Sequence, residues 1–254
     1  MVRVCILYGT GLSNLPNFIS KLYDSEINVL RSHSKWGDVP ISAINDSSNN
    51  SIFMIHRHHS DDGSVTPPHL IEHRANIHAS SSTNSDFIIS INSIGSLSSK
   101  FLPGDIGITI DMIDFSEYSW SFHDASAVHS DRTSIFDQQI INNLEIIIEN
   151  IQQKCVQKII VAQCNGPQFE SPAEINALGK MGAEAVNMTL GPESRLISEL
   201  SIPYASIIYS ANWASGRNPN GNSITIDHDE VEKSGSFIVG NISKCIDLLI
   251  NQYV

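Results

Sequence analysis

Short β-branched or aromatic runs alternate along this chain with stretches of helical period, and that alternation limits the fold more than any other feature. Residues 2–7, 51–55, 87–91, 106–113, 158–162 and 205–210 read as strands, several of them ending in Gly, Pro or Asn turns. Ile140, Ile141, Leu144, Ile147, Ile148 and Ile151 give residues 136–153 the spacing of a buried helical face. Residues 172–180 begin with Pro172 after Ser171, an N-cap followed by proline at the first helical position. Residues 192–200 and 230–253 complete the expected helices, and the polar stretches 45–51, 79–85 and 218–222 read as surface loops. None of the three is long enough to link two domains, so the expectation is one α/β domain over residues 1–254.

With 254 residues, 41% of them hydrophobic, the chain can bury a substantial core. It carries 15 Lys and Arg against 27 Asp and Glu, a formal charge of −12. That field repels nucleic acids and anionic membranes, and no basic run reverses it locally. No stretch has the length of a membrane span, and the first residues lack a signal-peptide layout. Cys5, Cys155, Cys164 and Cys245 are scattered without a C-x-x-C pair, a usage that fits a reducing compartment. The expectation is a soluble cytoplasmic protein with neither a nucleic-acid nor a membrane partner.

Several segments could carry chemistry. Gly9-Thr10-Gly11-Leu12 follows the first strand and could bind an anion, although it lacks the third glycine of a dinucleotide fingerprint and the Gly-Lys-Ser/Thr of a P-loop. At the end of the second strand, Arg57-His58 suits an anion better than a metal, because Arg supplies forked donors and disfavours a bound cation. A solvated strand end is the even alternative. Phe169 could stack on a planar ring while Glu170 accepts from ring N–H groups; a core phenylalanine and a helix-initiating acid are the bland reading. Asn187-Met188-Thr189 and Asn212-Trp213-Ala214 stand near strand ends, where open α/β sheets place ligands and where turn residues are also common.

Together these pieces resemble the trimeric purine nucleoside phosphorylase and methylthioadenosine phosphorylase family, in that family's order and over most of the chain. Besides the segments above, the resemblance rests on Pro67-Pro68-His69, Arg74-Ala75-Asn76-Ile77, Gly95-Ser96-Leu97, Pro103-Gly104-Asp105, Gly166-Pro167-Gln168, Pro192-Glu193 and His228-Asp229-Glu230-Val231. It implies a central mixed, partly barrel-like β-sheet flanked by helices. It assigns Thr10, Arg57, His58 and Thr189, with Asn92 and Ser93, to a phosphate site. Phe169, Glu170 and Asn212 would hold the base, and Met188, His228 and His129 the ribose, His129 being lent by a neighbouring subunit of a homotrimer. Asn212 and His58 would be catalytic. The departures from the family pattern fall at Gln168, Asn92-Ser93, 61–66 and His73.

The resemblance implies phosphorolysis of a nucleoside, with inorganic phosphate as co-substrate and no metal or cofactor. Asparagine at 212 has a donor for a 6-oxo oxygen and an acceptor for a protonated N7, and an ionised Glu170 suits the N1–H of hypoxanthine or guanine. The expected substrates are therefore inosine, guanosine or 5′-methylthioinosine, with His228 tilting toward a 5′-hydroxyl. Methylthioadenosine phosphorolysis, phosphate-independent hydrolysis and silent nucleoside binding are the alternatives.

Overall fold

In the computed structural model, which describes residues 1–221 and 225–253 apart from the side chains of His228 and Glu230, the most apolar runs form the middle of one mixed sheet. β1 (Arg3–Tyr8) runs parallel between β4 (Ser51–His56) and β5 (Phe87–Ser96), and Cys5, Ile6 and Leu7 are completely buried. A near-continuous apolar run serves a strand covered on both faces. Beyond β4 the sheet ends in the antiparallel strands β3 (Gly37–Asn45) and β2 (Asn28–Ser34). On the other side β5 pairs with both β8 (Ala185–Asn187) and β9 (Tyr204–Trp213). β7 (Gln157–Gln163) and β6 (Ile106–Asp114) close a five-stranded ring in the order β5-β8-β7-β6-β9. The α/β class and the partly barrel-like sheet expected from the sequence are both present.

The described helices are α1 (Leu15–Tyr23), α2 (His73–Ser82), α3 (Gln138–Gln152), α4 (Pro172–Lys180), α5 (Leu190–Ser198) and α6 (His228–Gln252). Local chemistry explains their starts. Asp137 accepts from Ile140 N ahead of α3, and Ser171 with Glu174 forms a capping box ahead of α4. α3 and α6 lie against each other and the ring, burying Ile140, Leu144 and Ile148 with Ile242, Ile246 and Leu249.

The sequence reading missed α1, α2, β2, β3 and β8, and part of one loop is corrected. Residues 79–82 are the last turn of α2, where hydroxyls fold back onto the helix: Ser80, Ser81 and Ser82 donate to the carbonyls of Ile77, His78 and Ala79. The 45–51 connection is a loop between Asn45 and Ser51, and Asn222 of the third polar stretch lies outside the described residues. One irregularity matters below. Along the parallel β5–β9 pair, Ile94 stands opposite Ser210 but Gly95 opposite Asn212, so Ala211 is a surplus residue without a register partner on β5.

Candidate active site

A cavity of about 410 Å³ opens at the carboxyl ends of β1, β4, β5, β8 and β9, where α/β sheets collect their ligand-binding turns. Nine of the residues singled out in the sequence line it: Thr10, Arg57, His58, Ser93, Phe169, Glu170, Met188, Thr189 and Asn212. Two others do not meet there. Asn92 is fully buried behind the wall, and His129 is an exposed residue of the β6–α3 connection that does not reach the cavity of its own chain. The side chain of His228 lies outside the described residues.

One end of the cavity is built from interlocked buried groups. Arg57, 2% exposed, turns its fork onto the fully buried Glu193, with Nε to Oε1 at 2.6 Å and Nη2 to Oε2 at 3.3 Å. It also donates to the carbonyls of Ile91 (2.9 Å) and Leu7 (3.1 Å). A buried guanidinium requires a counter-charge, so the fork expected to grip an external anion grips Glu193 instead. Of the five N–H groups of Arg57, one on Nη1 stays uncommitted among the described residues. Gly9 admits this packing: a Cβ there would stand 2.6 Å from Nη1 of Arg57 and 3.1 Å from Nε2 of His58. The Nδ1 of His58 is 2.8 Å from the carbonyl of Thr66, which can only accept, so Nδ1 carries the proton and Nε2 lies beside the Gly9 turn.

Thr189 stands at the N-cap of α5 but does not cap it. Asn187 Oδ1 takes the N–H groups of Thr189 and Leu190 at 2.8 and 2.7 Å, and Gln163 Oε1 takes that of Gly191 at 2.8 Å. The Thr189 hydroxyl is thereby released from capping, and Asn92 donates to it at 3.2 Å. Asn92 in turn accepts from Ser206, and Ser206 from Thr109, so a line of polar groups crosses the ring from β6 to the cavity wall. Around this end His73 and His56 are held neutral. Burial, then the charges of Arg57 and His58, push His73 down to about 3; burial, then Arg57 and His59, push His56 down to about 4.

The opposite end is looser. Phe169 is 40% exposed and rides with Glu170 on the β7–α4 loop. Gly166 turns that loop at φ 64°, and a Cβ on it would stand 2.6 Å from the sulfur of Met188. Burial, and then the neighbouring Glu170 carboxylate, push the Cys164 thiol up. Asn212 donates from Nδ2 to the carbonyl of Trp213 at 2.7 Å. Because that carbonyl can only accept, the amide orientation is settled, leaving Oδ1 and a second Nδ2 hydrogen. Gly95 faces it with room, a Cβ there lying 3.5 Å from Nδ2. Val65, Pro68, Ile226 and Val231 add an apolar stretch of wall.

The sequence reading did not find the parts that hold these residues: Glu193 was noted only within a motif, Asn187 only as part of a turn, and Gln163 and Tyr209 not at all. Tyr209 donates to the carbonyl of Thr10 at 2.6 Å.

Comparison with known proteins agrees with this geometry. Residues 4–250 match the phosphorylase superfamily. The chain is 32% identical over 200 residues to a probable S-methyl-5′-thioinosine phosphorylase of Methanopyrus kandleri, covering 78% of this chain and 77% of that one. It is 30% identical to a probable 6-oxopurine nucleoside phosphorylase of Thermococcus kodakarensis, covering 91% and 85%. Among solved structures, a methylthioadenosine phosphorylase from Schistosoma mansoni in complex with adenine superposes with a TM-score of 0.86 over 100% of this chain and 92% of that one. At 20% identity that likeness shows a shared fold.

Proposed function

Since this chain belongs to the phosphorylase superfamily, we propose that it cleaves 6-oxopurine nucleosides with inorganic phosphate, releasing the free base and a ribose 1-phosphate. One observation carries the choice of base: the Asn212 amide, oriented by the Trp213 carbonyl, offers a donor and an acceptor to the same cavity into which Glu170 brings an acceptor. A 6-oxopurine presents the complementary set, O6 as acceptor with N1–H and a protonated N7 as donors. Adenine N1 is an acceptor and would face the Glu170 carboxylate unpaired. Similarity to the probable S-methyl-5′-thioinosine and 6-oxopurine nucleoside phosphorylases supports the same class.

In the proposed reaction the N-glycosidic bond breaks ahead of attack, the electron pair leaving with N9 of the base. The sugar passes through an oxocarbenium-like state, and a phosphate oxygen then bonds to its anomeric carbon. Hydrogen phosphate gives up its proton on becoming the ester, the leaving base takes one up at N7, and Asn212 would accept from that N7–H. The phosphate would lie between Thr10, Ser93, His58 and Thr189, with the last Nη1 hydrogen of Arg57 behind it. Catalysis is then positional and electrostatic, and it needs no cofactor. If the sugar's 5′ end lies against Val65, Pro68, Ile226 and Val231, these favour an apolar substituent, which makes 5′-methylthioinosine the preferred member of the set. His129, exposed on its own chain, supports a homotrimer in which it completes a neighbour's site. The four free cysteines support a cytoplasmic setting, and no described helix is long and apolar enough to cross a membrane.

The test is base release from 5′-methylthioinosine, inosine, guanosine, adenosine and 5′-methylthioadenosine, each with and without phosphate. Phosphate-dependent release from the 6-oxo set is expected. Preference for the two adenine nucleosides would move the protein to the methylthioadenosine phosphorylases, and release without phosphate to the nucleosidases.

A further inference from the structure

Tyr209 is completely buried within β9, yet its hydroxyl reaches the first turn of the chain, donating to the carbonyl of Thr10 at 2.6 Å. Thr10 is the second residue of a four-residue turn closed by Leu12 N to the Gly9 carbonyl at 3.1 Å. Gly11, the third, has φ 74°, the value of a type II turn, whose central peptide is flipped relative to type I. Glycine tolerates both forms, so the turn's own sequence does not decide which way the Thr10 carbonyl faces. The Tyr209 hydroxyl bonds that carbonyl in the orientation observed.

Two further contacts complete the arrangement. Gly235 of α6 meets the same turn backbone to backbone: a Cβ on Gly11 would stand 2.7 Å from the Gly235 Cα. In the β5–β9 register Tyr209 is the direct partner of Ser93, another cavity residue, so the two side chains are neighbours on one face of the sheet. Burial pushes the phenol up from its ordinary value, so it stays protonated and able to donate across the working range. A phenolate here would repel the anion the cavity is built to hold.

We propose that Tyr209 is a positioning residue that sets the Thr10 turn and Ser93 as a single binding unit for inorganic phosphate. The inference rests on the phosphorolytic reading above. Its chemistry is not that of a substrate contact: the phenol acts through two cavity residues, one in the turn after β1 and one on β5.

Tyr209→Phe removes the hydroxyl and keeps the ring. Tyr204→Phe is the matched control, because it deletes another buried hydroxyl of β9, one bonded to Ser90 at 2.7 Å and absent from the cavity wall. KM for phosphate and for nucleoside are measured separately, together with the rise in melting temperature on adding inorganic phosphate. Tyr209→Phe should raise the phosphate KM about tenfold, leave the nucleoside KM within about twofold, and shrink the phosphate-induced rise in Tm. Tyr204→Phe should do none of these. An unmoved phosphate KM in Tyr209→Phe, or an equal increase in Tyr204→Phe, would overturn the role of Tyr209 alone. Wild-type turnover indifferent to phosphate, with no stabilisation by it, would overturn the phosphorolytic reading and this inference with it.

Discussion

The two ends of the cavity are made of different material. Around Arg57 the buried groups hold one another or are held by backbone: Glu193 by the guanidinium, Thr189 by Asn92, His58 by the Thr66 carbonyl. Around Phe169 and Glu170 the residues ride on a connection, and the ring of Phe169 is 40% exposed. A preorganised end suits a co-substrate of invariant shape, whereas a loop-borne end can change its partner without disturbing the frame. On the proposed reading, phosphate binding and base selection are separated along one cavity, and the separation can be tested from both sides.

The largest effect is expected at the buried end. Glu193→Ala leaves the Arg57 guanidinium buried without its counter-charge and should cost about 3–5 kcal/mol of stability by chemical denaturation. A loss below about 1 kcal/mol would show that this end is not interlocked as described. At the loop end, Asn212→Asp should shift the ratio of kcat/KM for inosine over adenosine roughly a hundredfold toward adenosine, with little change in stability. An unchanged ratio would remove the amide from base selection.

A pH effect of intermediate size should come from His73. Its folded pKa of about 3 lies below the unfolded value of about 6.5, so the unfolded chain takes up the proton first as pH falls. The stability is complete above pH 6.5 and drains away toward pH 3. For this one group the loss between pH 6.5 and pH 5 is about 2 kcal/mol, and His73→Phe should flatten that part of the stability profile. A parallel profile in the variant would mean that His73 does not contribute. The smallest effect is expected from Phe169→Ala, a roughly fivefold rise in nucleoside KM with phosphate KM unchanged. If both constants rose together, the two ends would not be separable.

The sequence made the frame legible where burial is uniform. The runs that became β1, β4, β5, β6, β7 and β9 are apolar enough to be read as strands, and Ser171 sits where a helix start needs it. It failed where local pattern and tertiary role diverge. Asn28–Ser34 is an edge strand whose side chains are mostly exposed, so no apolar alternation marks it. β8 is only three residues long, and the serines of α2 look like a loop until their hydroxyls are seen bonding back to the helix. For the cavity, residue types announced nine of its walls through family resemblance. The supports stayed hidden because they act over distance in the chain: Glu193 pairs with a residue 136 positions away, and Tyr209 with one 199 away.

The surplus residue in β9 has a consequence of its own. Up to Ser210, the even-numbered residues of this strand keep company with the even-numbered residues of β5, as Ser206 does with Asn92. After Ala211 the numbering changes sides, and even-numbered Asn212 joins odd-numbered Gly95 and Ser93. Were the strand to run without interruption, Ala211 would stand opposite Gly95 and the amide would turn away beside Ser96. The group proposed to tell one purine from another therefore faces its ligand through an offset of one in a count of residues, which no inspection of Asn212 by itself could reveal.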